Sequence, residues 1–215
     1  MVEYLLDAAL VLAGLAVVTA VTTLTRKLFG VRPKTPQFQV NFTECDYKMM
    51  LETQNLIQDD FSKKGESIVQ TMGDLSVEER KKKAESFVTH LANLYGISAE
   101  VEWFTDSIER CGNYNNGIIR LNDAELQLPP DTPEYESHLR NFVDSIVHEC
   151  RHAVQINALL SPGFWNISDE TLTQWYNNLI NYIPSELDLR GYCEQPVEAD
   201  AFAFAGTILK GVQFA

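Results

Sequence analysis

The stretch Phe142-Val143-Asp144-Ser145-Ile146-Val147-His148-Glu149-Cys150-Arg151-His152-Ala153-Val154-Gln155-Ile156 decides how this chain is read. Phe142, Val143, Ile146, Val147, Ala153, Val154 and Ile156 recur at helical spacing, so His148-Glu149-Cys150-Arg151-His152 lies within a helix and not in a loop. Two histidines four positions apart on a helix project from one face, and both imidazoles can reach one ion. The Glu directly after the first His stands beside that ion without ligating it, poised to take a proton from water. Two neutral nitrogen donors and one free carboxylate are what zinc-assisted hydrolysis requires. The chain has only four histidines, so this arrangement is rare by chance.

The surrounding pattern is α+β. A helix is predicted over 134–159, ending near Ser161-Pro162-Gly163, followed by helices over 169–183 and from Pro196 to about Lys210. Upstream, helices are predicted over 46–63 and 77–95, the second announced by Ser76 and Glu79 as a capping box. Strands are predicted over 99–105 and 117–121. The turn formers from Gly112 to Gly117 lie between them and predict a hairpin or tight loop. Helices, a small sheet, then helices give one α+β domain over 44–215.

The first residues differ from the rest. Ala8–Val21 is wholly apolar, small or Thr, and Tyr4–Leu24 approaches the roughly 20 residues that cross a bilayer. Arg26, Lys27, Arg32 and Lys34 follow the run, and Glu3 and Asp7 precede it. Residues 1–27 are therefore expected to form a single-pass membrane anchor, with the domain on the cytoplasmic side. Cleavage as a signal peptide after Val18-Thr19-Ala20, and secretion, is the alternative. Gly30, Pro33 and Pro36 make residues 28–43 a linker.

A net charge of −13 argues against nucleic acid as a partner, since phosphate binding needs a basic surface. Cys45, Cys111, Cys150 and Cys193 form no CxxC pair and are read as free thiols. Trp103, Trp165 and Trp175 are read as core residues.

A zinc site needs a third protein ligand, and no histidine follows His152. His138 lies off the face of His148, and nothing recommends His90. Glu198, in the helix from Pro196, shares a stripe with Ala201, Phe202, Ala205 and Leu209, where a carboxylate needs a partner. Asp200, Glu194 and Cys193 are the reserve candidates, in that order. Asp200 is alternatively an acceptor for a histidine N–H. Tyr182, Arg190 and Tyr192 lie near Glu198 in sequence and could stabilise an oxyanion.

The HECRH helix, followed by a Glu on a second helix downstream, resembles the gluzincin clan of metallopeptidases, in particular its small single-domain members, the minigluzincins. Gly117–Asn122 is similar to the strand that borders the cleft in that fold. The resemblance spans about residues 85–210. It implies a zincin-like fold, Zn2+ on His148, His152 and Glu198, Glu149 as the general base, and a peptide or protein substrate. One position departs from the pattern: larger gluzincins carry an Asp four residues after the ligand Glu, and here that residue is Phe202. The rival expectation is a membrane-tethered binding or scaffold protein that keeps the fold without hydrolysis.

Overall fold

The computed structural model describes residues 40–105, 112–185 and 187–215. The expected anchor over 1–27 and most of the linker lie outside them. No helix among the described residues is long and apolar enough to cross a membrane.

The described chain is α+β, with seven α-helices and a three-stranded sheet. Helices α1 (Glu44–Phe61), α2 (Ile68–Gly73) and α3 (Val77–Tyr95) come first, and then β1 (Glu100–Phe104), β2 (Gly112–Asn115) and β3 (Ile118–Asn122). A short 3₁₀ turn, Asp123–Leu126, leads toward the long α4 (Tyr135–Leu160), and α5 (Asp169–Ile180), α6 (Leu189–Glu194) and α7 (Pro196–Lys210) close the chain.

Each of the first three helices begins with a full capping box, in which Thr43, Ser67 and Ser76 exchange bonds with Asp46, Gln70 and Glu79. These side chains satisfy amide donors that would otherwise be orphaned in the first turn. Gly96 ends α3 with φ of 66°, a left-handed conformation that costs a side chain.

The sheet order is β1-β3-β2, with β1 parallel and β2 antiparallel to β3. Gly112–Asn115, read from sequence as turn, is instead a strand. Only Asn116 and Gly117 make the hairpin turn, at φ of 48° and 84°, the positive pair that a tight two-residue hairpin favours. The expected helix over 169–183 stops at Ile180, because Pro184 disfavours helical backbone before it. The Gln195 side chain then fixes the segment, accepting from the Ile183 N–H and donating to the Ile183 carbonyl, each at 3.0 Å.

The core is built around α4. Phe142, Val143, Ile146, Val147, Cys150, Ala153 and Val154 are all fully buried, and α4 packs against α7 on one side and against β2 and β3 on another. Trp165 and Trp175 join the core as expected. Trp103 is only partly buried; its ring stacks on Phe142 and its N–H donates to Glu85. Cys45 and Cys150 are free thiols, and Cys111 lies outside the described residues.

Candidate metal centre

Because residues 145–156 of α4 are buried without a break, their polar side chains cannot turn to water and must find partners. His148, Glu149, Arg151, His152 and Gln155 are all buried. They divide by face. His148 and His152 look toward the first turn of α7, where Glu198 is buried. Pro196 opens that helix in a position that needs no amide donor.

The three side chains converge. His148 Nε2 lies 3.0 Å from His152 Nε2 and 3.2 Å from Glu198 Oε2, and His152 Nε2 lies 3.4 Å from Glu198 Oε1. This buried group could hold a metal ion. The three groups are strongly coupled electrostatically. Burial alone would lower the pKa of His152, but the Glu198 carboxylate outweighs it and holds the imidazole up at about 9. Burial would likewise raise Glu198, yet the two histidines carry its carboxyl well below the usual range.

Glu149 is not one of the three donors. It is buried next to them, and burial pushes its carboxyl up, while the two histidines pull it down and Glu198 raises it. The backbone of Tyr114 on β2 lies near enough to favour the ionised carboxyl, so the strand missed in the sequence borders the candidate base. Gly112 runs close by: a Cβ there would come within 3.6 Å of Glu149 Cγ and 2.9 Å of the Arg120 carbonyl.

The reserve ligands go elsewhere. Asp200 faces Arg151 and Gln155, Glu194 pairs with Arg190 at the surface, and Cys193 is not part of the cluster. His90 pairs with Asp60 and His138 with Glu125. Asp200 does not accept a histidine N–H directly; that partner is Gln155, whose Oε1 lies 2.8 Å from His152 Nδ1. Of the three residues expected near Glu198, Tyr182 donates to Glu198 Oε1 at 2.8 Å, and the buried Tyr192 lies close enough for the carboxylate to push its phenol pKa up further, beyond the effect of burial. Arg190 is exposed and takes no part. Phe202 packs its ring on His148, with centroids 4.5 Å apart. His148 Nδ1 accordingly finds no hydrogen-bond partner among the described residues.

Asp46, Arg151 and Gln155 escaped the sequence reading. The available signal was an Arg and a Gln inside an otherwise apolar helix, which must be paired if that helix is enclosed. Comparison with family models, with curated proteins and with solved structures returned no match.

Proposed function

We propose that this chain is a zinc-dependent metallopeptidase of zincin-like fold. The observation that carries the reading is the buried trio His148, His152 and Glu198, with Glu149 beside it. Donor separations of 3.0, 3.2 and 3.4 Å match the edges of a tetrahedron around zinc, about 3.3 Å for metal–ligand bonds near 2.05 Å. Two imidazoles and one carboxylate leave a position open, as catalytic and not structural zinc sites do.

Bound there, zinc supplies Lewis-acid polarisation of a substrate carbonyl and lowers the pKa of water toward about 7. The chain does the rest. His148 and His152 hold the metal through Nε2, and Glu198 through its carboxylate. Glu149, raised by burial, takes the proton of the attacking water and returns it to the departing amine. The phenol of Tyr182 orients the Glu198 carboxylate. The substrate is a peptide or protein.

Metal analysis tests the site. Full-length protein purified without chelator should carry about one zinc per chain, and His148→Ala or His152→Ala should each abolish it. Zinc content unchanged in either variant, or iron in place of zinc, would sink this reading.

The same proposal places the enzyme at a membrane through residues 1–27, with the domain on the cytoplasmic side. Full-length protein should then resist carbonate extraction from membranes. A mature N-terminus just after Ala20 would show a cleaved signal peptide and reverse the topology.

A further inference from the structure

Gln155 lies one helical turn beyond His152 on α4 and is 1% exposed. Its three short bonds leave only one orientation of its amide. Nε2 donates to the Val197 carbonyl at 2.9 Å and to Asp200 Oδ2 at 2.8 Å, both on α7, so Oε1 must be the atom facing His152. Turned over, the amide would set its oxygen against two acceptors. A carbonyl oxygen can only accept, so His152 Nδ1 carries a proton and its other nitrogen, Nε2, is the one presented to Glu198 and His148.

Gln155 is itself held. The Asp200 oxygen that it bonds also accepts from Arg151 Nε at 2.7 Å, and Arg151 Nη2 reaches the other Asp200 oxygen at 3.2 Å. Arg151 Nη1 donates to Asp46 on α1, and the second Asp46 oxygen closes the capping box with Thr43. The chain of bonds therefore runs from the start of the domain, through α4 and α7, to one imidazole. Among the described residues the other imidazole has no such support: His148 Nδ1 finds no partner, and its ring packs on Phe202.

We infer that Gln155, anchored by Asp200 and through it by Arg151 and Asp46, is the positioning residue that fixes the tautomer of His152 and aims its Nε2 at the metal. This rests on the reading of the trio as a metal site. Partners of ligating histidines are typically worth 10–100-fold in metal affinity.

Two variants of full-length protein separate positioning from mere packing, read by zinc competition against a chromophoric chelator and by thermal unfolding of the metal-free protein. Gln155→Met removes the acceptor but leaves an uncharged side chain of similar length, and zinc affinity should fall about 10–100-fold. Gln155→Glu keeps an acceptor for His152 while setting a second carboxylate against Asp200. Its affinity should stay within about threefold of wild type although it melts at a lower temperature than Gln155→Met. The two rankings should thus cross. Affinities that follow the melting temperatures, with Gln155→Glu the weaker binder, would overturn the proposal. If Gln155→Glu fails to fold, ¹⁵N spectra of zinc-loaded wild type decide instead. A slowly exchanging Nδ1–H on His152 is expected, and a fast-exchanging one would refute it. A wild type that takes up no zinc is a different result, and overturns the metal reading itself.

Discussion

Glu149→Gln should leave zinc content near that of wild type and remove hydrolysis by at least about 10²–10⁴-fold, the range typical of a lost general acid–base group. Glu149 is buried beside the trio without being one of its donors, so its amide changes proton transfer and not metal retention. The change is close to isosteric, and the amide fits the same buried space beside β2. Glu198→Gln should behave differently. It weakens the metal's only carboxylate among the three donors, so activity and zinc content should fall together, and excess zinc should restore part of both. Measuring zinc content and cleavage of a peptide library for both variants distinguishes the two jobs. If Glu149→Gln kept full activity, the base assignment would be wrong. If wild type bound zinc but cleaved nothing while keeping its fold, the scaffold reading would replace the peptidase.

The largest effect on stability is expected from Arg151. Its side chain is 1% exposed, lies between Asp46 and Asp200, and sits 4.5 Å from the Phe204 ring centroid and 5.6 Å from that of Trp175. Burial alone would lower the pKa of the guanidinium, but Asp200 and Asp46 outweigh that cost and it rises. Arg151→Met keeps much of the apolar stem and deletes the charge. Two buried carboxylates then lose their counter-ion, and breaking a buried pair in this way costs about 3–5 kcal/mol. For a domain of this size the melting temperature should drop by about 10 °C. Adding Asp46→Asn and Asp200→Asn to Arg151→Met should recover part of the loss, since the cost lies in uncompensated charge more than in missing contacts. Thermal and denaturant unfolding of the single and triple variants measure this. A loss under about 1 kcal/mol for Arg151→Met would mean that the pairs carry little of the fold.

Arg151 also shows why one short motif holds two kinds of information. The placement of His148, Glu149 and His152 together on one helix was legible because it depends on helical spacing, which local sequence sets. Arg151, inside the same five residues, was not, because its partners lie on α1 and α7. Which face of α4 meets which helix is a matter of packing. Glu198 was legible for a different reason: a carboxylate on an apolar stripe has few ways to be stable once buried.

The strand Gly112–Asn115 marks the other limit. Gly112, Asn113 and Asn115 have poor strand propensity, and as Gly-Asn-Tyr-Asn the four residues read as turn. Pairing with β3 and packing against α4 make them a strand, and bring Tyr114 to Glu149. Helices α2 and α6, six residues each, are likewise too short to show a period.

By itself the sequence determined the α+β order of elements, the helix bearing both histidines and the acid best able to join them. Each of these follows from spacing along one segment or from the cost of burying a charge. The tertiary structure alone decided that Asp200 would serve Arg151 and Gln155 and not a histidine directly, that Gln155 would set the His152 tautomer, and that Tyr182 would reach Glu198. Hydrogen bonds between distant segments need a directed approach within about 3 Å, and only the packing of whole helices fixes position that finely.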